Sequence, residues 1–277
     1  MRYGQRLRTT FEYRRLLAAA FAALLAWELV AHLIADEHVL PTLGQALGSF
    51  RSLSDFWEGG AGVPVPQAGG AETLEGAALV LLVNGAQTAL RLLIGLAAAF
   101  IVGTGLGLVI GFAPTVRRFA YAPIIAASLL PTLALLPLFE LWFGATMRGA
   151  VFFIAFGGTV LIARMTVNAV QNVPTVWVET ARMLGASRLK IYRTVVIPAI
   201  VPELRGAVSL ALTVCWTLAL GGELLGLQSG LGYLLHRASQ LAKLDQMVLI
   251  SGIYVLLAAI SVSAFNALAD RFIRWTD

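Results

Sequence analysis

Residues 179–202 read ETARMLGASRLKIYRTVVIPAIVP and interrupt a chain that is otherwise largely apolar. The first half of this stretch carries more charge than the interior of a bilayer tolerates. Its charged residues are Glu179, Arg182, Arg188, Lys190 and Arg193. The stretch is also too short to fold as a domain, so we expect it to connect two membrane-spanning helices outside the bilayer.

The composition of the whole chain is typical of a membrane protein. Of its 277 residues, 58% are hydrophobic and 13% are charged, with a mean hydropathy of +0.81, whereas soluble domains average about 25% charged residues. The net charge of +5 fits Lys and Arg collecting on cytoplasmic loops rather than nucleic-acid binding. The single cysteine, Cys215, excludes a disulfide within the chain, and no metal-ligand spacing is present. We therefore expect an all-α polytopic membrane protein.

Six segments are long and apolar enough to cross the hydrocarbon, which takes about 20 residues in a helix. They are residues 16–34, 89–112, 119–143, 147–170, 206–227 and 247–269. Each is predicted to be helical, because unpaired backbone groups are not tolerated in lipid. The first resembles a signal peptide, but it exceeds the usual apolar region of about 7–15 residues and lacks a small-residue cleavage site. We interpret it as a retained span.

The basic residues predict the orientation of these spans. With the N-terminus in the cytoplasm, fourteen Lys and Arg residues fall inside and four fall outside, an asymmetry that sets topology. Both termini and the loop 171–205 are then cytoplasmic. The chain divides into a cytoplasmic segment 1–15, a first span 16–34, an extracytoplasmic loop 35–80, and a core 81–277 with five spans.

Glycine and proline mark several places in this arrangement. Residues 59–70, GGAGVPVPQAGG, predict a flexible linker in the outer loop. Three prolines in the third span are expected to kink it, because proline frees backbone groups; they are Pro123, Pro131 and Pro137. In the second span, Gly103 and Gly107 form a small-xxx-small pair that favours close helix packing.

The loop 171–205 is predicted to form two short amphipathic helices. In the first helix, apolar residues recur on one face and charged residues lie on another; these are Trp177, Val178, Ala181 and Leu184, against Glu179 and Arg182. Asn172 or Thr175 is expected to cap this helix, with Pro174 near its first turn. Gly185 is expected to end it.

A second short helix is predicted to begin at Ser187, and Pro198 and Pro202 are expected to close it. Physical pattern alone leaves two partners open for this pair of helices. They either lie on anionic lipid as interfacial helices or dock in a groove on a cytoplasmic protein.

The spacing in this loop resembles the EAA loop of binding-protein-dependent ABC importer permeases. Along the chain come E-x-A, three residues, a glycine, nine residues, and aliphatic-x-aliphatic-proline. The matching positions are Glu179, Ala181, Gly185, Val195, Ile197 and Pro198. Thr180 and Val195 stand where the family usually has alanine and isoleucine.

Four further stretches are similar to one subfamily, the permeases for nitrate, taurine, alkanesulfonates, bicarbonate and thiamine precursors. They are NGAQTALRLLIG (84–95), LLPTLALLPLFELWFG (129–144), GGELLGLQSGLGYLL (221–235) and RFIRW (271–275). The resemblance runs from about residue 40 to residue 277 and implies the fold of a type I ABC importer permease.

The resemblance also implies a set of partners. Such permeases work in the inner membrane as pairs, with two ATPase subunits below and an extracytoplasmic solute-binding protein above. The pair is formed by two copies of one chain or by a chain and a sibling permease, and the subfamily favours the homodimer. ATP and Mg belong to the partner ATPase, and no cofactor is expected in this chain, which lacks a G-x-x-x-x-G-K-[ST] loop. Closure of the ATPases passes through the EAA loop to the spans, which alternate between inward-facing and outward-facing states.

Six residues take ATPase-coupling roles by this resemblance: Glu179, Ala181, Arg182, Gly185, Ala186 and Pro198. Glu179 and Arg182 would supply polar contacts at the rim, and Ala181 would keep the inserted face small. Gly185 would permit the turn between the two helices. Pro198 would end the second helix before the next span.

Ionisable residues inside spans are costly and are functional candidates; here they are Glu28, Glu140, Arg164 and Glu223. Arg164 either lines a path for an anion or braces the bundle by pairing with an acid such as Glu140 or Glu223. Glu223 is predicted near the outer end of the fifth span, where it shapes a gate. Arg91, near the outer end of the second span, shapes the same gate or snorkels.

These observations predict the membrane permease subunit of an ATP-driven importer, and not an enzyme. The cargo is expected to be a small anionic solute of the nitrate, sulfonate or taurine kind, with a thiamine precursor or an aromatic carboxylate as the alternative. An ion-coupled secondary transporter would show internal repeats and midplane ion sites. A secondary transporter would also leave the EAA spacing unexplained. An intramembrane enzyme would need catalytic His, Asp or Ser groups at helical spacing, and none appear; a membrane scaffold with interfacial helices is the third alternative.

Overall fold

The computed structural model describes residues 2–36, 39–57 and 72–272. The Gly/Pro-rich stretch 59–70 lies outside the described residues, so the flexible linker stays a prediction. Within the described part, every regular element is a helix.

The helices of the first half are α1 (Arg2–Ile34), α2 (Leu43–Gly48), a 3-10 helix (Arg51–Phe56), α3 (Leu74–Phe112), α4 (Pro114–Leu129), a 3-10 helix (Thr132–Leu135) and α5 (Leu136–Phe143). The second half contains α6 (Met147–Asn172), α7 (Thr175–Met183), α8 (Arg188–Ile191), a π-helical turn (Tyr192–Val196), α9 (Ile197–Leu225), α10 (Leu231–Gln240) and α11 (Leu244–Phe272).

Several of these helices are suited to a bilayer. Four are long and apolar enough to cross it: Leu74–Phe112, Met147–Asn172, Arg188–Leu224 and Leu244–Arg271. The pair Pro114–Leu129 and Thr132–Phe143 adds a fifth if it forms one span, and Ala18–Ile34 is a shorter apolar helix. The expectation of an all-α polytopic membrane protein is confirmed. The count of six spans and the cytoplasmic location of the termini stay predictions.

The third predicted span, 119–143, is not one helix. Its two pieces, α4 and the segment Thr132–Phe143 that contains the 3-10 helix and α5, meet at 90° across a short break. Leu130 is extended, with φ −70° and ψ 129°, because the residue before a proline is pushed out of the helical region. Pro131 therefore breaks the span, whereas Pro123 lies inside α4 without ending it.

The chain clusters into two compact units, Met1–Val80 with Arg237–Gly252, and Leu81–His236 with Ile253–Asp277. In the first unit, part of the predicted outer loop is helical. Thr42 and Gln45 form a capping box at the start of α2, and the Glu28 carboxylate accepts a hydrogen bond from the Leu43 N–H at 2.9 Å. Glu28, a candidate functional residue, is therefore a helix-capping group here.

The 3-10 helix of this unit is held by side chains from residues 237–246. Gln246 Nε2 donates to Ser52 Oγ at 2.7 Å, and Lys243 Nζ lies 3.0 Å from Asp55 Oδ2. The Arg237 guanidinium lies over the Phe56 ring, 5.4 Å from its centroid.

In the second unit, α3 packs closely against α6 through glycines. A Cβ at Gly103 would lie 2.9 Å from the Thr159 carbonyl oxygen, and one at Gly107 would lie 2.4 Å from Thr166 Cβ. The predicted small-xxx-small contact is confirmed: only a residue without a side chain lets the two backbones approach this closely.

A polar contact joins α9 to α11 in the same unit. Trp216 Nε1 donates to Ser261 Oγ at 2.7 Å, and Tyr254 Oη donates to the Trp216 carbonyl at 2.7 Å. The Trp216 and Tyr254 rings meet edge to face at 5.0 Å. Buried Tyr and Trp are thus paired, as their polar atoms require.

Candidate functional site

The stretch that interrupts the apolar helices forms α7 and α8. α6 ends at Asn172, and Pro174 takes the N-cap position of α7. The prediction that Asn172 or Thr175 caps this helix is wrong. Proline has no side-chain acceptor, and no side-chain capping bond is made at this end.

Gly185 ends α7, as predicted. Its φ is +78°, a left-handed conformation that costs other residues about 1–2 kcal/mol. The Gly185 N–H donates to the Arg182 carbonyl at 2.9 Å, and the Ala186 N–H donates to the Ala181 carbonyl at 3.1 Å. These two bonds form a Schellman motif, which fixes the direction in which the chain leaves α7.

α7 exposes a large amount of apolar surface. It contains no buried residue, and four apolar side chains are 53–83% exposed: Val176, Trp177, Met183 and Leu184. Val178 and Ala181 are half-buried. The single apolar face predicted from spacing is therefore split, with Trp177 and Leu184 facing outward. Ala181 contributes less to the exposed surface than expected, and its coupling role stays a prediction.

Glu179 and Arg182, the predicted rim residues, are both exposed. Arg182 also lines an open cavity of about 390 Å³ beside the C-terminal end of α3. Phe112 and Tyr192 form part of its wall. The exposed side of α7 thus combines apolar side chains with one acid and one base.

In contrast to α7, α8 is anchored to α3. Ser187 caps α8 by accepting a hydrogen bond from the Lys190 N–H, so the second helix begins where it was predicted. The Arg188 guanidinium donates to the Phe112 carbonyl and lies over the Phe112 ring, 4.8 Å from its centroid. Tyr192 Oη donates to the Leu108 carbonyl at 2.6 Å.

The second helix does not end before the next span. A π-helical turn, Tyr192–Val196, carries it directly into α9, and the Ile197 N–H donates to the Tyr192 carbonyl. Pro198 lies in the first turn of α9, and Pro202 lies inside that helix. The predicted terminating role of these prolines is wrong. Pro198 has no backbone N–H to donate, and the wider π-helical turn accommodates this loss without interrupting the helix.

A second polar site lies where α3 meets the loop after α9. Asn84, Thr88 and Arg91 occupy one face of α3 at i, i+4 and i+7. Arg91 Nη1 lies 2.6 Å from Glu223 Oε1, and Thr88 Oγ1 donates to Glu223 Oε1 at 2.8 Å. Arg91 Nη1 also donates to the Ser229 carbonyl at 2.8 Å. We call these five residues the Glu223 cluster.

The centre of the Glu223 cluster is closed to solvent, whereas Asn84 and Ser229 at its edge are half-buried. Arg91 is 3% exposed and Glu223 is 1% exposed. The Gly232 N–H donates to Glu223 Oε2 at 2.9 Å, so backbone groups satisfy the carboxylate as well. Arg91 Nε is buried without a hydrogen-bond partner among the described residues. A buried ion pair of this kind is costly to break, because removal of one partner leaves a buried charge.

Gly230 is required by the same cluster. Its φ is +109°, and a Cβ there would lie 2.3 Å from the Glu223 carboxyl carbon. Its N–H donates to Asn84 Oδ1 at 2.8 Å. The GLQSGLG part of the sequence thus lets backbone N–H groups approach a carboxylate closely.

Sequence reasoning named Arg91 and Glu223 separately, as gate candidates, but did not pair them. It missed Asn84, Thr88 and Ser229. The available signal was the polar spacing at 84, 88 and 91 within an apolar span, since polar groups in spans seek one another.

The structure separates Arg164 from the acids proposed to pair with it. Arg164 Nη1 donates to Ser128 Oγ at 3.1 Å. Glu223 is held by Arg91, and Glu140 lies beside Gly226, where a Cβ would be 2.6 Å from its Oε1. In the described residues, no carboxylate forms an ion pair with Arg164. The hypothesis that Arg164 pairs with Glu140 or Glu223 is wrong, because Glu223 bonds to α3 instead. Among the described side chains, no cluster of His, Cys, Asp or Glu is placed to hold a metal ion.

Comparison with known proteins agrees with this geometry. The family described as binding-protein-dependent transport system inner membrane component matches residues 99–277. The taurine transport system permease protein TauC of Escherichia coli (strain K12) is 28% identical over 185 residues, which is 67% of each chain. The putative aliphatic sulfonates transport permease protein SsuC of the same strain is 30% identical over 145 residues, 52% of this chain and 55% of that one. The chain thus matches about two thirds of the first relative's length and about half of the second's.

Two solved structures share the fold. A chain of the inward-facing MetNI methionine ABC transporter has a TM-score of 0.60 at 21% identity, covering 71% of this chain and 96% of that one. A chain of a bacterial ABC transporter involved in the import of the acidic polysaccharide alginate has a TM-score of 0.58 at 14% identity, covering 97% and 99%. Because the family match covers well over half of the chain, the protein belongs to the inner membrane components of binding-protein-dependent transport systems and is a permease subunit of an ABC importer, not an enzyme.

Proposed function

We propose that α7 and α8 are the place where this permease subunit takes up the motion of a cytoplasmic ATPase. The observation that carries this proposal is the exposed apolar surface of α7, where Met183 is 81% exposed and Leu184 is 83% exposed. Surface of this kind, rimmed by the polar Glu179 and Arg182, is typical of a protein contact.

The charge on α7 favours a protein partner over a lipid surface. Helices that lie on anionic lipid carry mainly Lys and Arg on their polar face. The polar side of α7 presents Glu179 beside Arg182. These two are the charged side chains of Thr175–Met183, so the helix carries one acid and one base. A groove on a protein accommodates this mixed rim better than a negatively charged membrane does.

The connection to the spans supports a coupling role. The Schellman motif at Gly185 fixes α7 relative to α8, and α8 runs through the π-helical turn into α9. Arg188 and Tyr192 hold the same segment to the end of α3. A displacement of α7 therefore reaches two spanning helices through packed and hydrogen-bonded contacts.

Family membership supports the remaining parts of the proposed importer. Two copies of this chain form a homodimer, two ATPase subunits bind ATP and Mg, and an extracytoplasmic protein delivers the solute. The names of the relatives TauC and SsuC support a small organic sulfonate, such as taurine, as cargo. A thiamine precursor or an aromatic carboxylate is the alternative cargo.

The variant Gly185→Asp tests the coupling role. A side chain at φ +78° strains the turn, and the Asp carboxylate adds a charge beside the exposed Met183 and Leu184, so docking of α7 is disturbed while the spans remain folded. In proteoliposomes containing the cognate ATPase and binding protein, we expect ATP hydrolysis to continue while uptake of radiolabelled taurine falls at least ten-fold.

The matched control is Gly48→Asp. Gly48 is exposed, and a Cβ there meets no atom within 4 Å. Normal taurine uptake in Gly185→Asp contradicts the coupling role. If the unmodified transporter takes up a thiamine precursor but not taurine, the proposed cargo is wrong and the coupling test proceeds with that solute.

A further inference from the structure

α6 presents two different sides to its surroundings. One side is buried against α3 and α9 and includes Ala163, Thr166 and Val167. The other side carries three exposed polar residues at i, i+4 and i+7: Arg164, Asn168 and Gln171. Residues at this spacing lie one above the other on a helix, so they form a continuous polar stripe about 10 Å long.

This stripe is unusual for a membrane-spanning helix. α6 belongs to the helices apolar and long enough to span a bilayer. Charged and amide side chains in such helices face the bundle interior or a water-filled cavity, because exposure to hydrocarbon is costly. Asn168 and Gln171 lie in the last two turns of α6, which ends at Asn172, whereas Arg164 lies deeper in the helix. The Arg164 guanidinium is therefore expected to face water or protein in the assembled transporter.

Arg164 has few partners for a guanidinium in a span, and its described hydrogen bond is to the Ser128 hydroxyl. A guanidinium has five N–H donors, so most of its hydrogen-bonding capacity faces outward. Arg91, the other arginine within a span, is instead 3% exposed and paired with Glu223. Arg164 is thus an exposed positive charge that is accessible to a molecule bound beside α6.

Ser128 places this charge next to the break between α4 and α5. It lies in the last turn of α4, just before the 90° bend. Irregular backbone at membrane depth is tolerated where it lines a water-filled cavity or is buried in protein. The break therefore lies beside Arg164, at one end of the polar stripe.

The other end of α6 lines a pocket of a different kind. That pocket, of about 550 Å³, has an aromatic lining that includes Phe139, Trp142 and Phe156. Its described lining contains no ionisable side chain. Arg164 therefore supplies a counter-charge for an anion, whereas the aromatic pocket supplies none.

We propose that Arg164, Asn168 and Gln171 of α6, with Ser128 of α4, form an anion site in a water-filled part of the solute route. Arg164 attracts the anionic group of the solute, and the amide and hydroxyl groups supply further hydrogen bonds. This proposal rests on the proposed importer function and assigns the contact that favours an anionic cargo over a neutral one.

The site is tested with charged thiol reagents on Asn168→Cys in the assembled transporter. The natural Cys215 is fully buried, so the new thiol is the reactive one. We compare 2-sulfonatoethyl methanethiosulfonate, an anion, with 2-(trimethylammonium)ethyl methanethiosulfonate, a cation. Arg164 lies one turn away, about 6 Å between Cβ atoms.

At that distance in water, a unit charge changes the ratio of anion to cation labelling rates about ten-fold. We expect Arg164→Gln to lower the ratio by this factor and Arg164→Lys to retain it. The matched control is Arg148→Gln, an exposed arginine in the first turn of α6. It lies about 30 Å from residue 168, beyond the Debye length, so the ratio should not change.

Two results overturn the proposal. One is a thiol at residue 168 that reacts with neither reagent, which means that a second permease copy or lipid covers the stripe. The other is a labelling ratio that Arg164→Gln leaves unchanged. If Arg164→Gln does not assemble, the salt dependence decides, because screening must lower the ratio measured with Arg164 intact. A labelling ratio that does not change with salt concentration then contradicts the anion site.

Labelling requires no ATP-driven uptake. Failure of this test and failure of the coupling test with Gly185→Asp are therefore distinguishable.

Discussion

The Glu223 cluster and α7 each contain one acidic and one basic side chain, but in opposite environments. In the Glu223 cluster, Arg91 and Glu223 are buried, and the carboxylate is satisfied by side chains and a backbone N–H within the same chain. In α7, Glu179 and Arg182 are exposed, and so are the apolar side chains beside them.

The difference distinguishes residues that stabilise the fold from residues that are available to bind another protein. A closed polar cluster affects the free energy of unfolding, because its members have no access to water once a partner is removed. An exposed apolar helix affects binding, because truncation of its side chains leaves the fold unchanged. Variants of the two regions are therefore expected to move different measurements.

The largest effect on unfolding is expected from Glu223→Ala. It leaves the Arg91 guanidinium buried without a counter-charge, which costs about 3–5 kcal/mol. Unfolding of the purified protein by titration with sodium dodecyl sulfate measures this loss. Glu179→Ala, which removes an exposed carboxylate, is the control and should stay within about 0.5 kcal/mol. Equal losses in the two variants contradict the contrast between the regions.

A smaller effect is expected from Gly230→Ala. The added Cβ meets the Glu223 carboxylate at 2.3 Å, and φ is +109°, so backbone strain and overpacking together cost about 2–4 kcal/mol. The control is Gly206→Ala, where a Cβ meets nothing within 4 Å and helix propensity favours alanine. The same titration measures both. A Gly230→Ala protein as stable as the Gly206→Ala protein argues against a rigid cluster.

The sequence predicted much of this architecture for physical reasons that act locally. Apolar runs predicted the spanning helices, and Gly185 predicted the end of α7, because both depend on nearby residues. Gly103 and Gly107 predicted a close helix contact, since only glycine permits it. The Schellman motif and the Ser187 cap follow the same local rules.

Other features depend on contacts far apart in the chain and were not predictable in this way. The loop that brings residues 229–232 against α3 decides which acid pairs with Arg91. The local sequence around Arg91 does not indicate this pairing. The 90° bend at Pro131 and the π-helical turn before Pro198 show that a proline's effect depends on its surroundings. Helical spacing placed Ala181 and Trp177 on one face, but in the structure Ala181 is half-buried and Trp177 is exposed.

The smallest effect on unfolding is expected from Met183→Ser. Met183 is 81% exposed, so the free energy of unfolding should change by less than about 0.5 kcal/mol. Binding of the cognate ATPase should nevertheless weaken at least ten-fold, because an exposed anchor is lost. Leu241→Ser is the control: Leu241 is 56% exposed at the end of α10 and should alter neither quantity. Unchanged ATPase affinity in Met183→Ser counts against α7 as the contact.

The most direct test of the coupling account is the maleimide reactivity of Met183→Cys with and without the cognate ATPase. The buried Cys215 leaves residue 183 as the accessible thiol, and Leu241→Cys serves as a reference position. The account predicts rapid labelling at residue 183 in the permease alone, strong protection when the ATPase is bound, and no protection at residue 241. Equal labelling rates at residue 183 with and without the ATPase would contradict it.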